Sequence, residues 1–415
     1  MTAAAPRLLF VNRFYYPDHS ATAQILTDLA EALAARGWRV SVITSRMRYD
    51  DAAAVLPKCE TRAGVTIRRV ATTRFGRAGI AGRAIDYLSF YIASFLAVLG
   101  AVRRGDIVVA KTDPPLLGTV IGGAAALRGA RVVNWLQDLY PEIAAELGIE
   151  SLRGPAGKLL TALRNRSLKR AALNVAIGER MAERLAAAGV PGERVVVRPN
   201  WSDDEGVRPL PRDTVPLRAE WGLESKFVIG YSGNLGRAHE TETLIGAARL
   251  LRDRGDLVFL MIGGGHESRK LAERVADEGL ADLFQFRPYQ PRERLGESLG
   301  VADVHWLSLR PAMEGLIVPS KFYGIAAAGR PVIAVSDPDG EIGRIVTRHD
   351  CGIAVAPGDS AAMVAAIDAL AGDPVRLDRM GANARALLDR EYARAIAFDR
   401  WHRTLADLAA QHASD

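Results

Sequence analysis

The sequence predicts two α/β domains of the Rossmann type, each an open, doubly wound parallel sheet covered by helices. The chain has 415 residues, more than one hydrophobic core usually holds. Short apolar runs alternate with helical segments, as in parallel sheets built from βαβ units. Residues 199–225 are rich in Pro, Asp and Gly and lack periodicity. They therefore predict the connection between domains at 1–205 and 206–392.

The first domain opens with a βαβ unit. The pattern predicts a strand at 7–12, an amphipathic helix that ends at Gly37, and a second strand at 39–44. Such a unit joins neighbouring parallel strands. Further apolar runs predict buried strands at 106–111, 130–136 and 173–178.

The same pattern restarts in the second domain. A helix is predicted at 240–255, and a last amphipathic helix at about 393–415 is expected to cross back to the first domain. Ligands of such sheets bind at the carboxyl ends of the strands, so we expect a site in a cleft between the domains. The predicted strands are 226–233, 257–265, 283–289, 303–309 and 330–336.

The basic excess of the chain lies in its first half. Residues 1–205 hold 28 Lys and Arg against 19 Asp and Glu, a net charge of +9, whereas residues 206–415 hold 26 against 29, a net charge of −3. This asymmetry favours an anionic partner such as a membrane surface, a phosphorylated lipid or a nucleic acid. The alternative is an ordinary Arg-rich surface. Nucleic acid is disfavoured, because aromatic and basic residues are not interleaved and no helix-turn-helix pattern occurs.

Segment 84–102 bears on the choice of partner, since it is apolar except for Asp86 and two serines. Its uninterrupted apolar part does not exceed the ~20 residues that span a bilayer, which disfavours a spanning helix. Two interpretations stay open: a helix in the membrane interface with arginines on lipid phosphates, or a buried helix packed on the sheet. The flanking arginines are Arg74, Arg77, Arg83, Arg103 and Arg104.

The two cysteines, Cys59 and Cys351, stand in different halves of the chain. A disulfide framework or a cysteine-built zinc site is therefore not expected, and a reducing cytoplasm fits. The N-terminal residues run almost directly into a strand without an apolar stretch of signal-peptide length. No secretion signal is predicted.

A glycine-rich loop follows the first strand of the second domain and reads Gly233-Asn234-Leu235-Gly236-Arg237. Glycines let the backbone approach a ligand closely, and the following helix offers free N–H groups to a phosphate. Arg237 would add a positive charge. The spacing matches neither the GxGxxG dinucleotide fingerprint nor the P-loop, so neither class of site is predicted.

The stretch EGLIVPSK, from Glu314 to Lys321, precedes a helix of small residues. We expect Lys321 to neutralise a diphosphate, with Ser320 and nearby N–H groups donating to its oxygens. We expect Glu314 to accept hydrogen bonds from sugar hydroxyls. Either residue alone would be an ordinary surface charge. Together, at this point of an α/β unit, they indicate a sugar-nucleotide site.

Polar residues also follow a predicted strand of the first domain. Gln137, Asp138 and Glu142 come directly after the strand at 130–136. Asp138 and Glu142 are candidates to orient an acceptor or to stabilise positive charge at the transferred sugar. The alternative is that Asp138 caps a turn and Glu142 begins a helix behind Pro141.

The loop after the first strand carries two further candidates, His19 and Ser20. Their side chains are candidates for contact with the sugar or with the diphosphate. The alternative for His19 is simple solvation, which is the commoner state of an exposed loop histidine.

Six motifs together form one recognisable pattern. They are EGLIVP followed by AAGRPVIAV, YSGNLGRAHETETLI, MIGGG, FYYPDHSATAQ and NWLQDLYPE. The pattern resembles that of the retaining glycosyltransferases of family 4, which have the GT-B fold. The resemblance covers nearly the whole chain and is nearest to the bacterial colanic-acid, O-antigen and exopolysaccharide type.

The resemblance implies transfer of a sugar, with retention, from a nucleotide-sugar donor to a polyprenyl-linked saccharide. A UDP-sugar is favoured, and the base is expected near Phe286-Arg287-Pro288. The enzyme would be cytoplasmic and attached peripherally to the inner face of the cell membrane through 84–102. The implied residues are catalytic Asp138, Glu314, Lys321 and Arg237; donor-binding Ser20, Gly233, Asn234, Gly264, Arg287, Gly315, Leu316, Ile317, Pro319 and Ser320; and acceptor-side His19, Gln137 and Glu142.

The same resemblance implies no required cofactor, no metal and no protein nucleophile, because the leaving phosphate itself can take the acceptor proton. Asp337-Pro338-Asp339 mimics the metal-binding DxD of another transferase fold. Here it follows a predicted strand and precedes Gly340, so a turn is expected instead.

The sequence departs from the family pattern at three points. The family's second glutamate, which binds the ribose, aligns with Gly324. The paired Arg and Lys of its phosphate loop fall on Asn234 and His239, so charge for the diphosphate is expected from Arg237, Lys321 or both. The acceptor-side segment carries a glutamine where the family often has a histidine.

Two other function classes stay open. A sugar-nucleotide epimerase on the same plan would need acid and base side chains around the sugar and would have no use for a basic, lipid-facing half. A non-catalytic partner subunit at the membrane would bind the donor without turnover, which the glycine at position 324 allows.

Overall fold

The computed structural model describes residues 7–49, 51, 54–75 and 79–411, so Arg77 lies outside the described residues. Contacts divide the chain into two compact units. Unit 1 comprises Met1–Pro199 and Phe398–Asp415, and unit 2 comprises Asn200–Ala397. The division lies after Pro199, a few residues before the predicted boundary at 205/206.

Unit 1 is built on one eight-stranded sheet. Its strands are β1 (Arg7–Val11), β2 (Arg39–Ser45), β3 (Cys59–Arg62), β4 (Val65–Val70), β5 (Ile107–Ala110), β6 (Arg131–Leu136), β7 (Leu173–Ala176) and β8 (Val195–Val197). Their order is β3-β4-β2-β1-β5-β6-β7-β8. The central strands are buried on both faces, which explains their continuous apolar runs.

The parallel prediction fails at one edge of this sheet, because β3 runs antiparallel to β4. Only Ala63 and Gly64 separate the two strands, and both have positive φ, of 46° and 79°. Two such residues form the tight turn that joins antiparallel neighbours. A half-exposed edge hairpin carries no long apolar run, so the sequence pattern did not reveal it.

Six α-helices of unit 1 come before unit 2 in the described part of the sequence, and the second of them is long and apolar. They are α1 (Ala21–Ala35), α2 (Ile80–Ala101), α3 (Leu117–Leu127), α4 (Glu142–Glu146), α5 (Pro155–Arg170) and α6 (Glu179–Ala187). Phe90 and Val98 of α2 and Ile121 of α3 pack into a core with β1 and β5. Both helices therefore lie on one face of the sheet.

Helix α2 has two different faces. Its inner face is buried and includes Asp86, which accepts hydrogen bonds from the Thr73 hydroxyl (2.8 Å) and the Phe75 N–H (3.0 Å). By length and composition alone, Ala81–Ala101 could cross a membrane, and it is the one such helix among the described residues. In its most apolar stretch, 28% is buried inside the protein. The helix thus combines the two open interpretations: one side packs on the sheet and the other is exposed.

Unit 2 is built on one six-stranded sheet that is wholly parallel. Its strands are β9 (Phe227–Asn234), β10 (Leu257–Gly264), β11 (Phe284–Arg287), β12 (Val304–Ser308), β13 (Val332–Val335) and β14 (Gly352–Val355). Their order is β11-β10-β9-β12-β13-β14. The chain moves from β9 outward to one side and then returns to β12 on the other side. The switch point, where such sheets bind ligands, is therefore the carboxyl ends of β9 and β12.

The helices of unit 2 begin inside the stretch that was predicted to be an aperiodic connection. They are α7 (Pro216–Glu220), α8 (Glu242–Leu250), α9 (His266–Asp277), α10 (Leu295–Gly300), α11 (Lys321–Ala327), α12 (Glu341–Arg348), α13 (Ser360–Ala371) and α14 (Pro374–Leu387). The prediction missed α7, because five residues are too few to show a helical period. A π-helical turn, Leu388–Tyr392, follows α14.

The last helix, α15 (Arg394–Ala410), returns the chain to unit 1. Trp401 packs against Trp135 of β6, with ring centres 4.6 Å apart. The Trp38 indole N–H donates to Nδ1 of His402 (3.0 Å). These aromatic contacts anchor the C-terminal helix on the first sheet.

Candidate active site

The side chain of Lys321 turns back from the start of α11 over the carboxyl end of β9. Its Cε lies 2.8 Å from the point where a Cβ on residue 233 would stand, and Gly233 has a φ of +133°. Its Nζ lies 5.3 Å from the centre of the Tyr231 ring and 3.4 Å from Nε2 of His239. The ammonium therefore sits at the switch point, and a Cβ at 233 would push the flexible end of the Lys321 side chain out of this position.

The Lys321 ammonium is a cation on a half-buried side chain, and its surroundings remove much of its contact with water. Burial alone lowers its pKa to about 8, and no carboxylate among the residues that the structure describes acts on it. At neutral pH the group is still mostly protonated. A buried charge without an internal counter-charge is costly, so this position favours an anion from outside the chain.

His239 occupies the floor of this region. Its Nδ1 lies 2.9 Å from the carbonyl oxygen of Ser308, at the end of β12, and its Nε2 faces Tyr231 and Lys321. Burial first, and then the charge of Lys321, lower the pKa of His239 to about 4. The imidazole is therefore neutral at physiological pH.

The glycine-rich loops after β9 and β10 interlock beside Lys321. The N–H of Leu235 donates to the carbonyl oxygen of Gly264 (2.7 Å). Gly265 has a φ of +127°, and a Cβ there would lie 2.6 Å from Oδ1 of Asn234. The structure thus brings the predicted Gly233, Asn234 and Gly264 together with Lys321. The Arg237 side chain is exposed on the same loop.

Glu314 is engaged by the protein itself. It is 5% exposed, and its Oε2 accepts a hydrogen bond from the N–H of Glu341 (3.2 Å), the first residue of α12. A Cβ on Gly340 would lie 2.3 Å from the other carboxylate oxygen. Glu314 therefore caps the N-terminus of α12, where a carboxylate is stabilising. The sequence analysis did not predict this capping role.

The rest of the EGLIVPSK stretch folds around Glu314. Gly315 has a φ of 71°, which favours glycine at the turn. Leu316 is buried, Ile317 and Pro319 are half-buried, and Ser320 is exposed at the start of α11. Ser320 is therefore the polar side chain of this stretch that faces solvent next to Lys321.

Two other residues of unit 2 that the sequence analysis singled out lie elsewhere. Arg287 lies over the ring of Trp221, 5.3 Å from its centre, and donates to Oε1 of Gln285 (3.2 Å). Gly324 lies within α11, where an added Cβ would meet Leu299 at 3.5 Å, an ordinary contact. A longer side chain could therefore start at position 324 without a clash at its Cβ.

A second group of charges lies at the carboxyl ends of β5 and β6 in unit 1. Burial first, then Asp113, raises the pKa of Asp138 to about 6, and the charge of Lys111 opposes this rise. Lys111 is 1% exposed, and burial lowers its pKa to about 7. Its ammonium donates to the Thr22 carbonyl (3.0 Å) and lies 3.9 Å from the Trp135 ring centre. Sequence reasoning missed Lys111, although a lysine as the last residue of the predicted strand 106–111 was visible.

Asp138 and Lys111 both line a pocket of unit 1. Glu142 is the first residue of α4, which agrees with the alternative that it begins a helix behind Pro141. Its carboxylate accepts two hydrogen bonds from the guanidinium of Arg164, at 2.6 and 3.0 Å. This pair fixes one wall of the pocket. The other polar side chains around it belong to Thr112, Thr119, Asn134, Tyr140 and Ser167.

The remaining predicted residues of unit 1 lie in two loops. His19 is exposed, and its carbonyl accepts from the Gln24 side chain (2.6 Å). Ser20 is the residue before α1, and its N–H donates to Asp18 (2.8 Å). Gln137 is buried beside Asp138.

The Asp337-Pro338-Asp339 motif forms a turn. The N–H of Asp339 donates to Oδ1 of Asp337 (2.9 Å), and the N–H of Gly340 donates to the carbonyl of Asp337 (2.7 Å). Within the described ranges no group of three or more His, Cys, Asp and Glu side chains could hold a metal ion.

Comparison with known proteins assigns both units to one class. Residues 20–201 match the family model described as a glycosyl transferase 4-like domain, and residues 216–387 match the model of glycosyl transferases group 1. The chain is 30% identical over 305 residues to "Probable glycosyltransferase WbjE" of Pseudomonas aeruginosa, covering 72% of this chain and 74% of that protein. It is 27% identical over 366 residues to "Putative colanic acid biosynthesis glycosyl transferase WcaI" of Escherichia coli (strain K12), covering 85% of this chain and 89% of that protein.

Solved structures agree on the fold. The Anabaena protein Alr3699/HepE in complex with UDP superposes with a TM-score of 0.72 at 15% identity, over 97% of this chain and 100% of that chain. The predicted pair of parallel-sheet domains and the predicted transferase activity are both confirmed. The chain therefore belongs to glycosyltransferase family 4 and has the GT-B fold.

Proposed function

We propose that this glycosyltransferase moves a sugar, with retention, from a UDP-sugar to a polyprenyl-linked saccharide in polysaccharide biosynthesis. Unit 2 binds the donor and unit 1 binds the acceptor. The observation that carries the proposal is the half-buried Lys321 ammonium at the switch point of the second sheet, without a carboxylate partner among the described residues. Such a charge suits the diphosphate of a nucleotide sugar.

The chemistry explains why this cation would act in catalysis. Glycosyl transfer passes through an oxocarbenium-like state while negative charge grows on the leaving diphosphate. Lys321 stabilises that charge most when it is fully developed, which lowers the barrier and not only the binding free energy. The leaving phosphate oxygen takes the acceptor proton, so no protein nucleophile or metal is needed. The UDP and UDP-glucose complexes of HepE support the choice of donor.

Two other groups complete the proposed donor site. Gly233 and Asn234 end β9 next to Lys321, and Gly264 ends the neighbouring β10; we expect these residues to let the diphosphate approach the backbone. Glu314 is held rigidly by its bond to α12, and we assign its carboxylate to hydroxyls of the donor sugar. The name of WcaI, which refers to colanic acid biosynthesis, supports the bacterial polysaccharide setting.

Turnover with defined substrates tests the proposal. The protein is incubated with UDP-, GDP- and ADP-sugars and a polyprenyl-linked saccharide, and the product linkage is read by NMR. Transfer with the donor's anomeric configuration supports the proposal, and inversion refutes its retaining part. Interconversion of the donor without an acceptor would indicate an epimerase, and donor binding without turnover would indicate a non-catalytic partner.

Replacing Gly233 with Ala should displace Lys321. The new Cβ would lie 2.8 Å from Cε of Lys321, on a backbone with φ of +133°. We expect UDP affinity to fall by about tenfold or more, the loss of one charge-assisted hydrogen bond. Gly236→Ala is the control, because its Cβ would meet Asn234 at an ordinary 3.6 Å. Equal affinities of the two variants in calorimetry would contradict the prediction.

The acceptor side should show a pH dependence set by Asp138. Its pKa is about 6, so protonation below that pH removes the carboxylate charge that we assign to acceptor orientation. The charge of Lys111 lowers this pKa, so Lys111→Met should shift the acid limb of the pH–kcat/KM profile to higher pH. The exposed Lys58→Met is the control. An unchanged acid limb in Lys111→Met would show that Asp138 does not set it.

The membrane contact that we propose for unit 1 uses the exposed face of α2. Its outward residues Ile85, Leu88, Ile92 and Leu96 follow one side of the helix, each 46–61% exposed. Helix α5 adds exposed Leu159 and Leu163. Exposed basic residues that would meet lipid phosphates are Arg74, Arg83, Arg103, Arg104, Lys158, Arg166, Lys169 and Arg170.

Polar substitution of this face should reduce membrane binding. We expect wild type to sediment with vesicles containing anionic lipid, and the Leu88→Ser/Ile92→Ser/Leu96→Ser variant to lose most of this binding. Leu250→Ser is the control, since Leu250 is 63% exposed in unit 2. Failure of wild type to sediment, or equal sedimentation of the triple variant, would refute the membrane contact and leave the transfer chemistry untouched.

A further inference from the structure

We infer that His239 is a positioning residue, a neutral hydrogen-bond acceptor that holds the Lys321 ammonium at the carboxyl end of β9. The inference rests on the proposed function, because Lys321 is the cation that we assign to the donor diphosphate. It adds a specific requirement: the ammonium is active only while one imidazole nitrogen keeps a lone pair aimed at it.

The tautomer of His239 follows from its partners. Nδ1 lies 2.9 Å from the carbonyl oxygen of Ser308, which can only accept a hydrogen bond. A second carbonyl, that of Asn234, lies farther away, 3.3 Å from Nε2, and already accepts from the Tyr231 hydroxyl at 2.8 Å. The shorter contact therefore places the hydrogen on Nδ1. A neutral imidazole has one N–H, so Nε2 is left with a lone pair and must accept.

The donor to that lone pair is Lys321. Two donors lie near Nε2: the Tyr231 hydroxyl at 3.1 Å and the Lys321 ammonium at 3.4 Å. The Tyr231 hydroxyl hydrogen is used toward the carbonyl of Asn234, at 2.8 Å. The ammonium, which has three N–H groups and no lone pair, then donates to the imidazole.

The arrangement links two strands to the cation. Ser308 ends β12, and its carbonyl orients the ring. The ring then places Lys321 over the end of β9, beside Gly233. The titratable groups that act on His239 are Lys321 from α11 and Glu267 from α9, with Tyr231 of β9 against the ring.

A double-mutant cycle on UDP affinity tests the inference. His239→Phe keeps a flat ring but removes the acceptor, and we expect UDP binding to weaken by about tenfold. His239→Gln restores an acceptor at the reach of Nε2 and should recover most of the affinity. In a Lys321→Met background, His239→Phe should have no further effect. Additive losses, or no rescue by Gln, would overturn the inference.

A second readout does not depend on nucleotide binding. The pKa of Lys321 is followed by NMR of the isotope-labelled lysine side chains in the free protein. Loss of the acceptor disfavours the charged ammonium, so His239→Phe should lower the pKa of Lys321, and His239→Gln should lower it less. An unchanged pKa would refute the contact. If wild type bound no UDP while this shift appeared, the proposed function would fail and the positioning role would stand.

Discussion

Lys321→Met is expected to reduce kcat by about 10²–10³-fold, the usual loss when one preorganised group that stabilises a developing anion is removed. The ammonium lies half-buried at the switch point and meets no carboxylate among the described residues. In the transfer reaction it would face the diphosphate as its charge develops. The measurement is single-turnover transfer from UDP-sugar, which separates chemistry from product release.

The same substitution should not destabilise the free protein. Burial lowers the pKa of Lys321 from 10.5 to about 8. A lysine with a lowered folded pKa costs stability at every pH below its unfolded value, and the cost is greatest below about 8. Methionine removes that cost, so the melting temperature should stay the same or rise. Lys226→Met, at the amino end of β9, is the control for activity. Unchanged kcat, or a large loss of stability, would contradict the account.

Asp303→Ala is expected to lower the free energy of unfolding by about 3–5 kcal/mol, because it leaves a buried arginine without its counter-charge. Asp303, directly before β12, is 3% exposed. It accepts from the Val228 N–H (2.6 Å) and pairs with Arg218 (3.3 Å) and Arg212 (2.9 Å). Arg218 is itself 3% exposed. Burial raises the pKa of Asp303 and lowers that of Arg218, so each charge depends on the other.

Urea unfolding measures this loss. Asp256→Ala is the matched control, because Asp256 forms an exposed pair with Arg254 (2.7 Å) and should cost less than about 1 kcal/mol. The folded fraction of Asp303→Ala should bind UDP normally, since Asp303 ties the amino ends of β9 and β12, away from Lys321. Loss of UDP binding with full stability would show that the pair has a role beyond the scaffold.

The sequence predicted the strands of both sheets where they are buried on two faces. Such strands as β5 (Ile107–Ala110) are continuous apolar runs, which is the pattern that burial imposes. It did not predict β3 and β4, because an edge hairpin with alternating exposure has no such run. It also missed β8 and β14, which are short edge strands with half-buried residues. Nor did it predict α7, which is shorter than two helical turns.

The candidate site was predictable in part for a similar reason. Lys321 and Gly233 lie in motifs that are local in sequence, and the structure brings them together. The capping of α12 by Glu314 joins residues 27 positions apart, and the contact of His239 with Lys321 joins residues 82 apart. Contacts of this kind depend on how strands and loops are arranged in space, which a single sequence does not encode as a local pattern.

Calorimetric binding of UDP, GDP and ADP to wild type and to Lys321→Met tests the central claim most directly. We expect wild type to bind UDP in preference to GDP and ADP, and Lys321→Met to bind UDP at least tenfold more weakly, a difference of about 1.4 kcal/mol. That result would identify the second sheet as the donor site and Lys321 as its cation. Undiminished UDP binding by Lys321→Met, or no binding of any nucleotide by wild type, would contradict the account.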